Sequence, residues 1–254
     1  MEGWIGEVFS SIQGEGVYAG YRQIFVRFAG CPFRCTYCDT TEFWQTAPTY
    51  CLVERKPGSQ VFKKLENPIK SEKLVKEIER LCTPDLHSIS LTGGEPLAAG
   101  EFLVEVARTC KRKGWKTYLE TSGSDSRVMK SAVPYLDYAA IDLKLPEHGA
   151  VGRERWASLL REELKCVRAA AQGGVKTFVK IVVLRETRTS TLVRVCQKLK
   201  SVAKVPVVLQ PVTPVREGVR PPTALSLLTA SAKIAELGLE VRIMPQLHRT
   251  LGVK

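Results

Sequence analysis

The stretch GCPFRCTYCDTT, residues 30–41, places Cys31, Cys35 and Cys38 in one short loop, while the other cysteines of the chain are scattered. A C-x3-C-x2-C loop with no second pair differs from the four-ligand spacings of structural zinc. Three thiolates can instead hold three irons of an iron–sulfur cluster and leave the fourth iron open to another ligand. The triplet therefore favours a cluster with one uncapped iron over zinc and over three packing cysteines.

The composition is typical of a globular enzyme, with 254 residues of which 44% are hydrophobic and 25% charged. No basic region followed by an apolar run opens the chain, and no apolar stretch approaches the roughly 20 residues that cross a bilayer. We therefore expect a cytoplasmic protein without a membrane partner. The net charge of +12 permits nucleic-acid binding, but the basic residues are spread without aromatic interleaving, which favours a solvated surface.

Short β-rich runs alternate with amphipathic helical segments. RQIFVRF at 22–28 predicts a strand, and SEKLVKEIERL at 71–81 predicts a helix with Ser71 as its N-cap. The repeated order predicts an α/β fold whose parallel sheet curves toward a barrel, with its chemistry at the C-terminal strand ends. Residues 41–70 interrupt the alternation and predict an insertion beside the site, with a short hairpin.

These features resemble the radical S-adenosylmethionine (SAM) superfamily. The resemblance rests on the cysteine spacing, on the aromatic Tyr37 before the last cysteine, and on LTGGEP at 91–96. It implies a single domain over residues 1–254 with a partial (β/α)6-type barrel, a [4Fe–4S] cluster on the three cysteines, and SAM on the open iron. The residues implied for SAM are Tyr37, Asp39, Gly94, Glu95, Glu120, Ser122, Asp142, Lys144 and Gln210.

Some of these positions keep a second interpretation. Glu95 is also expected to order the loop that carries Gly94. Glu120 and Ser122 are equally compatible with strand-end caps, and Gln210 with a buried amide that only satisfies backbone groups.

FSSIQGEG at 9–16 and PQLHRTLG at 245–252 resemble the terminal motifs of the 7-carboxy-7-deazaguanine synthase family. That resemblance implies a lyase of queuosine and deazapurine biosynthesis, which contracts 6-carboxy-5,6,7,8-tetrahydropterin to 7-carboxy-7-deazaguanine with loss of ammonia. It also implies Mg²⁺, a homodimer, an electron donor such as flavodoxin or ferredoxin, and a tail at 239–254 that closes the substrate pocket. Implied substrate residues are Ile12, Gln13, Gly14, Glu15, Arg27, Thr92, His248 and Lys254, with Thr40 as the Mg²⁺ ligand.

The residue types suit a pterin, which presents an amino-pyrimidinone edge and a carboxylate. Glu15 can accept hydrogen bonds from ring and exocyclic N–H groups, and Arg27 can form charge-assisted bonds to the substrate. No catalytic side chain is expected, because a SAM-derived radical would react while Glu15 and Arg27 position the pterin. Lys254 stands where family members commonly end in proline, and Asp-Leu-Lys at 142–144 replaces a frequent Ser-Pro-Lys.

Two other functions remain open at this stage. A glycyl-radical enzyme activase shares the cysteine triplet and the Gly-Gly-Glu-Pro turn, although SIQGEG would then lack a purpose. A zinc-stabilised RNA-binding module would account for the positive charge, and it predicts colourless protein whose RNA affinity falls steeply with salt.

Overall fold

The computed structural model describes residues 1–254 as twelve strands and seven α-helices. The strands are β1 (Glu2–Gly3), β2 (Ile5–Ile12), β3 (Arg22–Phe28), β4 (Tyr50–Glu54), β5 (Phe62–Glu66), β6 (Ile69–Lys70), β7 (Ser88–Gly93), β8 (Thr117–Thr121), β9 (Tyr138–Asp142), β10 (Lys176–Val183), β11 (Val207–Pro211) and β12 (Val241–Ile243). The helices are α1 (Ser71–Arg80), α2 (Glu101–Arg112), α3 (Ser126–Ala132), α4 (Arg153–Gln172), α5 (Thr189–Lys200), α6 (Ala224–Ala235) and α7 (Leu247–Leu251).

Ten of the strands form one sheet in the order β12-β11-β10-β9-β8-β7-β3-β2-β4-β5. All neighbours from β3 through β7 to β12 are parallel, whereas β2 is antiparallel to β3. The loop after β2 reaches across the inner face of the sheet to bond with side chains of β8, β10 and β11, which shows that the sheet curves. The sheet does not close, so the α/β fold with a partial barrel is confirmed.

The two faces of the sheet have different chemistry because side chains alternate along each strand. In β3, Ile24, Val26 and Phe28 join a core of 48 buried residues, which includes the buried faces of helices α1, α2, α4, α5 and α6. Each fully buried aliphatic or aromatic side chain there contributes about 1.5–3 kcal/mol of transfer free energy. Gln23 and Arg27 alternate with them and face the concave interior.

An apolar plug closes one end of that interior. Tyr118, Tyr138, Ala140, Phe178 and Val208 form a separate buried cluster on the inner face. Later residues of the same strands are polar, as the sequence of β8 to β11 shows. The interior is therefore lined by apolar side chains toward the N-terminal strand ends and by polar side chains toward the C-terminal ends, where we expect the site.

Helix α1 begins one residue earlier than its sequence pattern predicts. Ser71 is the first helical residue rather than the N-cap, and Lys70 precedes it without a side-chain cap. The Ser71 N–H donates to the Met1 carbonyl at 2.9 Å, and β6 leads directly into the helix after pairing with β1. This tertiary contact satisfies one of the first N–H groups of the helix, which have no partner within the helix.

Residues 41–70 form a 3₁₀ turn at Thr41–Trp44 followed by the antiparallel pair β4–β5, so the hairpin is confirmed. The pair extends the sheet beside β2, and Cys51 and Val53 join the main core. The segment is thus packed into the fold, while its status as an insertion stays a prediction. None of the helices has the length and apolar character needed to cross a membrane.

Candidate active site

A cavity of about 1360 Å³, counted to its open mouth, lies at the C-terminal ends of the parallel strands. Nearly all of the residues singled out in the sequence line it. They are Ile12, Gln13, Gly14, Glu15, Arg27, Cys31, Cys35, Tyr37, Cys38, Asp39, Thr40, Thr92, Gly94, Glu120, Ser122, Asp142, Lys144, Gln210, His248 and Lys254. Residues from both ends of the chain and from its middle therefore converge on one cavity.

Glu95 is the exception, because its side chain does not line the cavity. The carboxylate is fully buried and does not line the cavity. It accepts hydrogen bonds from the Leu97 N–H at 3.1 Å, from the Ser122 N–H at 2.7 Å and from the Thr121 hydroxyl. Its carboxylate is used to join the Gly-Gly loop to the end of β8, which matches the ordering role that was also expected.

The three cysteines of the triplet are free thiols, with Cys35 buried and the other two partly buried. Burial raises the pKa of Cys31 to about 11, so the unliganded thiol is protonated and a metal must displace its proton. No three His, Cys, Asp or Glu side chains surround a single metal-ion position. Each thiolate of an iron–sulfur cluster binds a different iron, so this donor set fits a cluster, whereas a zinc ion would need convergent ligands.

Arginines bond to the backbone of the cysteine loop. Arg216 Nε donates to the Thr36 carbonyl at 2.6 Å, and its Nη2 lies 3.2 Å from the Cys35 carbonyl. Arg34 Nη1 donates to the Cys31 carbonyl at 2.7 Å. These bonds hold the backbone of the cysteine loop, and all three cysteines line the cavity.

Gly93 and Gly94 pack against the cysteine loop too closely for side chains. A Cβ on Gly94 would lie 2.3 Å from the Gly30 carbonyl oxygen, and Gly93 has a φ of +118° that favours glycine. The Gly94 N–H donates to Phe28 O at 2.8 Å, and the Glu95 N–H to Gly30 O at 2.9 Å. The two loops therefore form one rigid unit with exposed backbone beside the cysteines.

A row of alternating charges crosses the floor of the cavity; we call Glu15, Lys180, Asp142, Lys144 and Tyr37 the charged row. Lys180 bonds to Glu15, and its Nζ lies 3.4 Å from Asp142 Oδ1. Lys144 Nζ lies 2.8 Å from Asp142 Oδ2 and donates to the Tyr37 hydroxyl at 3.2 Å. The row links the expected substrate residue Glu15 to the cysteine loop, and its two carboxylates balance its two ammonium groups.

The charged row sets the ionisation of its members. Burial opposes ionisation of Glu15, but Lys180 and Gln246 outweigh it and lower the pKa of Glu15 to about 2. Burial also disfavours the charge on Lys144, yet Asp142 raises the pKa of Lys144 well above its ordinary value. Glu15 and Lys144 are therefore both charged at neutral pH.

Helix α7 joins two sides of the cavity. Gln246 Nε2 donates to Glu15 Oε1 at 2.7 Å, and Arg249 Nη2 donates to Asp39 Oδ2 at 3.0 Å. His248 lies directly against Gly14, where an added Cβ would come within 1.9 Å of its Nδ1. The tail thus contacts both the QGEG loop and the segment after Cys38.

Two cations share one buried acid at the opposite wall. Arg27 Nε lies 2.9 Å from Glu7 Oε1 as an ion pair without the alignment of a hydrogen bond, and Lys254 Nζ bonds to Glu7 Oε2. The Lys254 ammonium also lies 4.5 Å from the ring centroid of Phe62 on β5. Glu7 therefore balances part of the positive charge that faces the cavity.

Three residues of this network, Glu7, Lys180 and Gln246, were not among the expected site residues. Lys180 sits at an inward position of VKTFVKIVV, where a charge between apolar neighbours is the only sequence signal. Glu120, expected near SAM, lines the cavity and accepts from Gln13 Nε2 at 2.9 Å. Thr40 lines the cavity with its hydroxyl 3.9 Å from Cys38 Sγ.

Comparison with known proteins agrees with this geometry. The model of the radical SAM superfamily matches residues 25–198. The 7-carboxy-7-deazaguanine synthase of Methanocaldococcus jannaschii is 35% identical over 98% of this chain and 99% of its own length. The Thermococcus kodakarensis protein of the same name is 36% identical over 83% of this chain and 84% of its own.

Solved structures share the fold at low sequence identity. QueE from Escherichia coli superposes with a TM-score of 0.62 at 19% identity, over 96% of this chain and 94% of that one. A radical SAM methyltransferase from Sphaerobacter thermophilus gives 0.65 at 13% identity, over 89% of this chain and 66% of that one. Because proteins of different name give similar scores, these two likenesses establish the fold alone.

The cysteine loop, the Gly-Gly loop and the superfamily match define an enzyme of the radical SAM superfamily, which uses a [4Fe–4S] cluster and SAM. Within that superfamily, the chain belongs to the 7-carboxy-7-deazaguanine synthase family, as full-length relatives at 35% identity show.

Proposed function

We propose that this chain contracts 6-carboxy-5,6,7,8-tetrahydropterin to 7-carboxy-7-deazaguanine with loss of ammonia, in deazapurine biosynthesis. The supporting observation is that one cavity is lined by the cysteine triplet and also by Gln13, Glu15 and Arg27. A radical SAM enzyme with another activity would need the cysteine triplet but not Gln13, Glu15 and Arg27. The names of the relatives support the same reaction.

The cofactors supply the hard chemistry: cluster and SAM, when bound, provide the 5′-deoxyadenosyl radical. Cys31, Cys35 and Cys38 would hold the cluster, and the backbone at Gly94 would bind the methionyl end of SAM. Gln210 is a suitable partner for the rest of SAM, because its buried Oε1 has no hydrogen-bond partner in the protein. Further proposed contacts to SAM come from Tyr37, Asp39, Ser122, Asp142 and Lys144.

The proposed substrate contacts use groups that the protein leaves available. Glu15 is ionised and can accept from the pyrimidine edge, because a carboxylate offers more lone pairs than its three side-chain partners occupy. Arg27 pairs with Glu7 through Nε, so its terminal nitrogens can bind the pterin carboxylate. These contacts would orient the substrate, which is the positioning on which such a reaction depends.

Other parts of the proposal go beyond the cavity. Thr40 would contribute one oxygen to Mg²⁺, a cation that prefers hard oxygen ligands and keeps several waters. The enzyme requires a reductant, and we propose flavodoxin or ferredoxin, with the chain acting as a homodimer without nucleic acid or membrane partners. Ile12, Thr92, His248 and Lys254 would complete the substrate subsite under the 239–254 tail.

Anaerobic incubation of reconstituted protein with the tetrahydropterin, SAM, Mg²⁺ and a reductant tests the reaction directly. We expect 7-carboxy-7-deazaguanine and ammonia, with SAM recovered at the end. Glu15→Ala should lower kcat/KM by about 100-fold, since it removes a charged hydrogen-bond partner. Absence of the deazaguanine from protein that holds its cluster and cleaves SAM would overturn the proposed reaction.

A further inference from the structure

A second line of polar side chains runs beneath the cavity, away from the charged row. Gln13 Nε2 donates to Gln23 Oε1 at 3.0 Å, Gln23 Nε2 donates to Ser88 Oγ at 3.0 Å, and Ser88 Oγ lies 2.9 Å from His87 Nδ1. Gln13, Gln23 and Ser88 are 2%, 0% and 1% exposed. We call these four residues the amide relay; only Gln13 has been given a role so far.

The partners of Gln13 allow one orientation of its side-chain amide. Its nitrogen faces two acceptors, Gln23 Oε1 and Glu120 Oε1, while its oxygen accepts the Glu15 N–H at 2.9 Å. The reversed amide would place an oxygen against the Glu120 oxygen and an NH₂ group against the Glu15 N–H. Leaving buried polar groups unpaired in this way is costly, so the Gln13 carbonyl is fixed toward the Glu15 backbone.

Gln23 is held in turn by the rest of the relay. Strand pairing places Gln23 of β3 opposite Ser88 of β7. Ser88 Oγ accepts from the Gln23 NH₂ group, which directs the Gln23 oxygen toward Gln13, and when His87 Nδ1 carries no proton the Ser88 hydroxyl can donate to it. Packing fixes His87 itself, because its ring centroid lies 4.4 Å from that of Tyr21 and 4.8 Å from that of Tyr138.

We propose that Gln23 is a positioning residue for the substrate subsite, acting through Gln13 to fix the backbone and hence the carboxylate of Glu15 beside Glu120. The inference rests on the proposed function, because it assigns Glu15 to the pterin. A positioning role and a purely structural role for Gln23 predict different effects on ligand binding. Loss of the relay should weaken pterin binding and leave SAM binding unchanged, since the relay contacts neither the cysteine loop nor the Gly-Gly loop.

Gln23→Met tests this, because it keeps the length of the side chain and removes the acceptor. We expect the KM for the tetrahydropterin to rise about tenfold with little change in kcat or in the KM for SAM. Equilibrium pterin affinity, measured anaerobically without reductant, should fall by the same factor. Ile24→Val, a truncation in the main core at the next position, is the matched control and should lower thermal stability without changing pterin KM.

A double-mutant cycle shows whether Gln23 acts through Gln13. If it does, Gln13→Ala with Gln23→Met should bind pterin no more weakly than Gln13→Ala alone, since coupled residues are not additive. Should Gln23→Met fail to fold, Ser88→Ala breaks the relay one link further away and should raise pterin KM to a smaller extent.

The outcomes separate this inference from the proposed function. Additive losses, an equal loss of SAM affinity, or unchanged pterin affinity in a folded variant would overturn the relay. A wild-type protein that binds SAM but no tetrahydropterin would overturn the proposed function together with the inference that depends on it.

Discussion

Lys180 balances Glu15, a cavity carboxylate whose pKa is lowered to about 2. Its side chain is 12% exposed and that of its partner Glu15 is 17% exposed. A largely buried ion pair adds little net stability to the fold, but removal of one partner leaves the charge of the other uncompensated. Lys180 therefore keeps Glu15 ionised, and its removal would leave an uncompensated buried charge.

The substitution Lys180→Met should raise the pKa of Glu15 from about 2, because burial would no longer be outweighed by a cation. A lowered carboxyl pKa contributes stability that is present above about pH 4.5 and is lost as pH falls toward 2. The variant lacks this contribution, so its free energy of unfolding at neutral pH should be about 3 kcal/mol lower. The acidic limb of the pH profile of kcat/KM for pterin should move to higher pH.

Lys176→Met is the control on the same strand, since Lys176 is exposed and lies outside the charged row. It should leave the pH profile in place. An unshifted profile for Lys180→Met, measured on folded protein with its cluster, would contradict the assignment of Glu15 as the pterin acceptor that Lys180 keeps charged.

The loop after β2 and helix α7 depend on each other for shape. The Leu247 N–H donates to the Gly14 carbonyl at 2.8 Å, and the imidazole of His248 fills the space beside Gly14. Glycine is needed there because of a neighbour rather than because of its backbone angles. The packing fixes the distance between the QGEG loop and the tail.

Gly14→Ala should displace His248 and raise the KM for pterin about tenfold, because the new methyl group and the imidazole cannot occupy the same space. In a His248→Ala background, the space is free and the same substitution should have almost no further effect. Comparing the four proteins by pterin KM measures this interaction. Equal effects of Gly14→Ala in both backgrounds would contradict the contact.

Sequence patterns predicted the strands and helices well because apolar periodicity is a local property. Segment 22–28 forms β3 with the predicted bounds, and the motifs at 30–41 and 91–96 meet as expected. The contacts that were missed are not local. Lys180 and Glu7 carry no motif. Lys180 meets Glu15 because the loop after β2 crosses the inner face of the sheet, and Glu7 meets Arg27 because the two residues are opposite each other in the β2–β3 pair.

Glu95 illustrates a different limit of sequence reasoning. Its motif marks a functional loop but does not say which side chain of the loop faces the ligand. The Thr121 hydroxyl and the Ser122 N–H donate to its carboxylate and hold it outside the cavity lining. The orientation of Glu95 therefore depends on donors from another part of the chain, which the motif itself does not contain.

The main core and the cysteine loop are separate packing units of the chain. The 48-residue core includes none of the three cysteines, which pack instead around Phe33, Ala150 and Leu159. Backbone hydrogen bonds also hold the loop, since the Arg34 N–H donates to Ala150 O and the Thr36 N–H to His148 O. Stability of the fold should therefore depend little on the cluster, unlike that of a small zinc domain.

Removal of the metal by an anaerobic chelator tests this separation. We expect the far-UV circular dichroism to persist and the melting temperature to fall by only about 2–4 °C, the change that a local loss of about 1 kcal/mol gives for a chain of this size. Amide hydrogen exchange should accelerate at 30–41 and at 146–151, where the loop is supported, and should stay slow in β7 to β11. Cys196→Ala, in the main core, should by contrast lower the melting temperature while leaving the iron content unchanged. Global unfolding on chelation would show that the cluster contributes to the stability of the entire chain, because the sheet and its helices would then lack an independent core.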